Sequence, residues 1–484
     1  MVINENSKLN TIKYKNVVRS RNARSYNFIC LLLIAVSIIV CVVTMWDFKR
    51  PHYYDALCLL PLSFIVLLII NINKFNDMFS NFGVMLIVVL EFVRLVITPL
   101  FLVWSGYFEM VKLNVETNTP KAIGLLVYEV IVISLAIRWP TVCKKTRALS
   151  KNEYKNGLSK LHILMALYTV VLITVCVIAP EILLAHRTIW GVFTDKAYTS
   201  MTLDMIISLT PSAIKRGFLI VSRFLLVPYR LLLPAYLIIV VRQYFHKCYR
   251  WLCWLLSFFP LLMVNDVIAQ SLYFTMFLLL LNCFMSKVSY KTIAGIIIAS
   301  AMTVVIYFCA RYLLWKTDGS NIVDDFAKKL VTYFSGLNIV SGTYNQPDTV
   351  DKIQYMFYDF LKAIPFNKTL LGLDQSVSSA ALFNNSNLCE FQIPSTIGMC
   401  CFYFGPIFAP LYSFFLTRFA KWNGQKLNNC EVPLLKLVYM FTAFILALGI
   451  VMYNIEIACT TLVQVVLPIY IIAKLAFGRN QIDT

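Results

Sequence analysis

The sequence predicts an all-α polytopic membrane protein, a bundle of about twelve transmembrane helices with two long extracytoplasmic loops. Three observations predict it. Of 484 residues, 59% are hydrophobic and 14% charged, against roughly 25% charged in ordinary soluble domains; the mean hydropathy is +0.73. Apolar runs of about twenty residues, the length a helix needs to cross hydrocarbon, recur along the whole chain and exclude the alternating short segments of a barrel. Basic residues gather in alternate loops, as they do on the cytoplasmic side of a membrane.

The candidate spans are 27–46, 56–72, 82–104, 121–138, 161–184, 217–241, 251–264, 267–285, 292–310, 393–417, 433–452 and 457–475. The polar, basic first 26 residues carry no cleavage pattern, so the first run is expected to stay as a span. Lys144, Lys145, Arg147 and Lys151 follow the fourth span, Arg242, Lys247 and Arg250 the sixth, and Arg418, Lys421 and Lys426 the tenth. With twelve spans all these loops share the cytoplasmic side, both termini are cytoplasmic, and the long loops 185–216 and 311–392 both lie outside. The net charge of +19 is then a matter of topology, and no nucleic acid partner is expected. The fourteen Cys sit mostly in apolar runs with no CxxC pair and no Cys/His cluster, which suggests neither a disulfide framework nor a zinc site. No P-loop, HExxH or TVGYG-like filter is present.

The sixth span is the most informative. Thr210-Pro211 reads as an N-cap followed by proline at the first helical position. A helix from there to Val241 is roughly 45 Å long at 1.5 Å per residue and projects past a hydrocarbon core of about 30 Å. Arg216, Arg223 and Arg230 recur every seven residues and share one helical face. Two readings stay open: an anion track leading down from the outer surface, or a structural Arg230 paired with Glu91 or Glu129 while Arg223 snorkels. Glu91 and Arg94, three residues apart in the third span, are expected to close their own charge as an intrahelical pair. The first outer loop offers His186, Arg187, Trp190, Asp195 and Lys196; basic residues facing out suit phosphate as well as a solvated loop. In the second loop, aromatic residues at helical spacing over 353–361 predict an interfacial amphipathic helix. Asp324-Asp325 is its one adjacent acidic pair, too little to predict a metal.

Tyr333-Phe-Ser-Gly336, Phe383-Asn384 and Ile393-Pro-Ser-Thr-Ile-Gly398 through Phe404-Gly405, with Lys215-Arg216 leaving the first loop, resemble the loop patterns of Wzy-type polymerases of O-antigen, capsule and exopolysaccharide. The architecture of that family covers nearly the whole chain. The resemblance implies a glycosyltransferase of the bacterial cytoplasmic membrane. It would join oligosaccharide repeat units linked to undecaprenyl pyrophosphate on the outer leaflet, without metal or other cofactor. It implies basic groups for the leaving pyrophosphate, for which Arg187, Arg216, Arg223, Arg230 and Arg311 are candidates. It also implies a general base for the acceptor hydroxyl, for which His186, Asp359 and Glu390 are unranked candidates. A flippase and a chain-length regulator would be partners. The rival expectations are a flippase or transporter of the same lipid-linked units, which would show pseudo-symmetric halves, and a ligase-like transferase.

Overall fold

The computed structural model describes residues 28–46, 50–72, 81–106, 108, 115–141, 150–189, 203–264, 268–286, 295, 322–334, 336–364, 372, 377–389 and 392–478. The helices among them are α1 (Phe28–Trp46), α2 (Leu59–Ile70, extended backward by a 3-10 turn, His52–Cys58), α3 (Phe82–Ser105), α4 (Val115–Arg138), α5 (Lys151–Ile178), α6 (Leu203–Leu209), α7 (Ala213–Tyr244), α8 (Arg250–Ser257) and α9 (Ile268–Met285). They continue with α10 (Ile322–Tyr333), α11 (Leu337–Gly342), α12 (Lys352–Leu361), α13 (Ser379–Ser386), α14 (Thr396–Phe404), α15 (Pro410–Asn429), α16 (Pro433–Val451) and α17 (Ile455–Phe477). Among the described residues the chain is all-helical, and eight helices are long and apolar enough to cross a membrane: α1, α2 with its 3-10 turn, α3, α4, α5, α7, α16 and α17. This is a membrane protein. The predicted ninth span, 292–310, lies outside the described residues apart from 295.

The bundle is built around α16, which is buried along nearly its whole length and packs on α15, α3 and α9. A helix apolar on every side can be enclosed this way because no face of it needs water. The ring α2, α3, α4, α15 closes one side; α5, α7 and α17 close the other. Apolar side chains point outward all along α5, Ile163, Leu167, Val170 and Val177 among them, as lipid-facing residues do.

α7 and α9 run parallel, and two bonds set their register. Arg230 donates to Gln270 Oε1 at 3.4 Å, and Arg242 Nε donates to Asn282 Oδ1 at 3.0 Å, each pair 40 residues apart in sequence. Parallel neighbours require the chain between them to come back, and the 250–264 segment does so as α8 followed by a 3-10 turn, Phe259–Leu262. Pro260 in that turn prevents the eight-residue α8 from running on.

Two expected elements differ in detail. The helix N-cap of α7 is Ser212, whose side chain accepts from the Lys215 N–H at 3.4 Å; the Thr210 hydroxyl instead donates back to Ile206 O at 2.7 Å, closing α6. The 393–417 run is not one continuous helix. It breaks at Gly405, where φ is +80, a conformation that glycine adopts at no steric cost. The second half, α15, then continues as helix through Arg418, Lys421 and Lys426 to Asn429.

The long second loop is not a separate layer. Every residue of α11 is buried; it packs on α4 and α14. The side chain of Asn338 bonds Tyr54 Oη and donates to Phe108 O. A Cβ on Gly398 would stand 2.5 Å from Thr343 Cγ2, so glycine alone lets α14 approach the turn after α11 this closely. Asn384 ties the loop to its re-entry: its Nδ2 donates to Gln392 O at 3.1 Å and its Oδ1 accepts from the Gln392 N–H at 3.1 Å.

Candidate functional site

α12 is amphipathic, and its faces are reversed. Ile353, Phe357, Phe360 and Ile364, at i, i+4, i+7 and i+11, are 41 to 58% exposed. Asp359 and Lys362, at i and i+3, turn inward at 1% and 9% exposed, beside the partly buried Tyr355 and Met356, while Lys352 at the start of the helix stays a third exposed. In water this arrangement would be unfavourable. At a lipid boundary it is the stable one, with acyl chains outside and polar partners inside. Asp351 caps the helix by accepting from the N–H groups of Ile353 and Gln354, each at 3.1 Å.

Asp359 has well-defined partners. Its Oδ2 accepts from the Tyr403 hydroxyl at 2.7 Å and its Oδ1 from the Ser379 N–H at 3.2 Å. The hydroxyls of Tyr403 and Ser379 are themselves hydrogen-bonded. Ser379 opens α13, so Asp359 places negative charge at the N-terminus of a helix as well as facing a phenol. The three residues form a closed ring of acceptor, phenol and hydroxyl, all buried, in which a proton has an unbroken path from Ser379 through Tyr403 to Asp359.

Cations flank the ring. Lys352 Nζ stands 2.6 Å from Asp348 Oδ1 and 5.4 Å from the centre of the Phe402 ring; hydrogen bonding and attraction from that ammonium hold the Asp348 carboxyl below the usual carboxylate range. Lys362 and Asp359 both lie near Glu456 in the first turn of α17. One turn before Glu456, Tyr453 lies near Tyr273 on α9, with Tyr333 in the same neighbourhood. Within the same turn of α9, Gln270 and Ser271 receive Arg230, whose guanidinium lies 5.7 Å from the Phe274 ring centre. Buried polar groups of α7, α9, α17 and α12 thus form a layer, with Arg230 toward one end and Lys362 and Asp359 toward the other.

Arg230 is fully buried, but its partners are not the expected acids. Arg94 takes both: its Nη1 stands 2.9 Å from Glu129 Oε2 and 3.7 Å from Glu91 Oε1. The expected self-closing Glu91–Arg94 pair is thus the longer of two contacts. The three arginines of α7 have different surroundings. Arg216 and Arg223 are exposed and Arg230 is not, because Arg230 is level with the first turn of α9. One and two heptads earlier, about 10 and 21 Å along the axis, α7 has run past the end of that helix.

The first loop is pinned at both ends. Arg187 and Val264 exchange backbone hydrogen bonds of 2.7 and 2.6 Å, which sets Arg187 just before α9 and the groups that hold Arg230. Lys215 Nζ stands 3.1 Å from Glu181 Oε1; the Glu181 backbone N–H and this ammonium together hold the Glu181 carboxyl low. His186 Nδ1 is 3.0 Å from Ile182 O, and its 3-10 turn packs on α5, α6 and α7. Asp359's helix packs on α13, α14 and α17. Of the three candidate bases, the structure brings Asp359 into the polar layer and leaves His186 on another face. Glu390 and Arg311, like Trp190, Asp195 and Lys196, lie outside the described residues.

No protein-family model matches the chain, and comparison with curated proteins and with solved structures finds no match. The site therefore has to be read from its own chemistry. Sequence reasoning missed Tyr403, Ser379, Lys362 and Glu456. Glu456 was the findable one, a lone acid between two apolar runs.

Proposed function

We propose that this protein is a membrane glycosyltransferase that polymerises lipid-linked oligosaccharide repeat units into a surface polysaccharide, of the kind its loops resemble. The observation that carries the reading is the reversed helix α12. Its inward face offers Asp359 and Lys362, its first turn the ion-paired, part-exposed Lys352, and its outward face Ile353, Phe357 and Phe360. A substrate with a sugar-pyrophosphate head and a long polyprenyl tail has the matching two-sided chemistry.

In this reading the tail lies against Ile353, Phe357 and Phe360. The acceptor hydroxyl loses its proton to Asp359 through Tyr403, while its oxygen attacks the anomeric carbon of the growing chain. The bond from that carbon to the lipid pyrophosphate breaks, and Arg230, Lys352 and Lys362 offset the charge that develops on the leaving group in a water-poor layer. The remaining parts of the proposal are twelve spans with both termini cytoplasmic, loops 185–216 and 311–392 outside, and residence in a bacterial cytoplasmic membrane. The alternating positions of the basic loops support them.

The test is purified protein in lipid nanodiscs given undecaprenyl-pyrophosphate-linked repeat units, with products resolved on a gel. A ladder of lengthening glycans is expected. In proteoliposomes, movement of unchanged units across the membrane with no ladder would replace the proposal with a transporter.

A further inference from the structure

The interior of α3 holds a charge set that does not balance. Glu91 and Glu129 are 0 and 1% exposed and Arg94 2%. Phe82 to Glu91 and Glu129 to Arg138 are each nine residues, so both carboxylates lie about 14 Å from the same end of the bundle at 1.5 Å per residue. Two carboxylates thus share one guanidinium in the middle of the spans. Their bonding is unequal. Glu129 takes the Arg94 Nη1 contact at 2.9 Å and a hydroxyl bond from Ser413 at 2.5 Å. Glu91 stands 3.7 Å from Arg94 Nη1, and no hydrogen-bond donor among the described residues reaches either of its oxygens. Arg94 Nε and Nη2 are equally unengaged. Arg94 itself sits in a π-helical turn, Val93–Ile97, a departure from α geometry that recurs at functional sites.

Other elements packed around α3 supply no second cation. On α15, Arg418 and Lys421 spend their donors on the carbonyls of residues 137, 139 and 140. On α16, Lys436 lies 6.0 Å from the Phe284 ring centre, and Tyr439 is a neutral phenol. α2 has no ionisable side chain. α10, which carries Asp324 and Asp325, packs on the 98–105 end of α3, and the Cys400 thiol of α14 lies near Glu129. A bare carboxylate in this setting is too costly to persist. Glu129 accepts two hydrogen bonds, and among the described residues Glu91 accepts none.

We propose that Glu91 is an intramembrane proton-binding site, occupied as a neutral carboxylic acid and poised beside a guanidinium with two N–H groups to spare. A proton needs a single acceptor oxygen, whereas a sodium ion needs several, and Glu129 has already committed both of its own. Release of the proton leaves a carboxylate 3.7 Å from Arg94 Nη1, on a guanidinium whose Nε and Nη2 have no hydrogen-bond partner among the described residues. The inference does not depend on the proposed polymerase activity.

Infrared difference spectroscopy of the purified full-length protein in nanodiscs tests it through the C=O stretch of protonated carboxyls. The wild type is expected to show one such buried band at neutral pH. Glu91→Gln removes it. Glu129→Gln also removes it, because one carboxylate and one guanidinium then close as a pair. Arg94→Gln strengthens it, because both acids then take protons. An unchanged band in folded Glu91→Gln overturns the proposal, as does saturable sodium binding by the wild type that Glu91→Gln abolishes. Where Glu91→Gln does not fold, the other two variants still decide: a band that persists in Glu129→Gln and does not grow in Arg94→Gln refutes it.

Discussion

Replacing Asp359 by Asn separates a proton acceptor from a mere helix cap. The carboxylate accepts from the Tyr403 hydroxyl at 2.7 Å and the Ser379 N–H at 3.2 Å. In Asp359→Asn the amide oxygen keeps the Ser379 bond, the new NH₂ donates to the Tyr403 oxygen, and the Tyr403 proton turns to Ser379. The Ser379 hydroxyl hydrogen and the second amide hydrogen must then find new acceptors, so the cost to stability is about 1 to 2 kcal/mol. Asp359→Ala strands the Ser379 N–H and opens a void, which together cost about 3 kcal/mol. Basicity, in contrast, is lost equally in both. Removing a general base lowers rate by roughly 10² to 10⁴. The expected result is therefore a folded Asp359→Asn, more abundant than Asp359→Ala, with its polymer ladder collapsed, and a depleted Asp359→Ala with no ladder. The assay measures membrane abundance and thermal stability beside product length for each variant. A normal ladder from Asp359→Asn would refute the role of Asp359 as base and leave it a cap for α13.

Three further outcomes are expected. Arg230→Ala lowers polymer length, and adding Glu91→Gln does not restore it, because Arg94 rather than Arg230 holds Glu91; Arg230→Lys rescues only partly, since an ammonium lacks the planar fork that reaches Gln270 and Ser271 together. Reporter fusions at Lys151 and Asp351 are expected to report opposite sides of the membrane, and the same side for both would reject the twelve-span topology. Activity is expected to survive EDTA, because the sequence offers little beyond Asp324-Asp325 in the way of outward paired acids; loss restored by magnesium or manganese would overturn that.

What could be read from the sequence follows from which forces act locally. Spans such as 433–452 were legible to within a residue of the helix Pro433–Val451, because apolar length alone decides whether a segment leaves water. The helix at 353–361 was legible because side-chain periodicity is local. Partner choice was not. Glu91 is three residues from Arg94 and looked like its mate, yet helix packing delivers Glu129 0.8 Å closer, as the 2.9 and 3.7 Å contacts show. Likewise Arg216, Arg223 and Arg230 share a helical face, but burial depends on where α9 stops, a fact held some forty residues away. The break at Gly405 was within reach, since Gly405-Pro406 stands in the middle of the apolar run, but hydropathy averages over it.

The parallel register of α7 and α9 bears on how the chain enters a membrane. The segment that returns between them is a single short helix and a 3-10 turn, so several of its carbonyls have no helical partner and could not face lipid. The Cys253 thiol already reaches toward Ile238 O on α7, 3.9 Å away. The return strand of this hairpin thus has no stable resting place until α7 is seated, and synthesis in the N-to-C direction supplies that order. A circular permutant that begins at residue 250 would have to insert the return segment before its template exists, and should stall at the translocon while permutants cut elsewhere assemble.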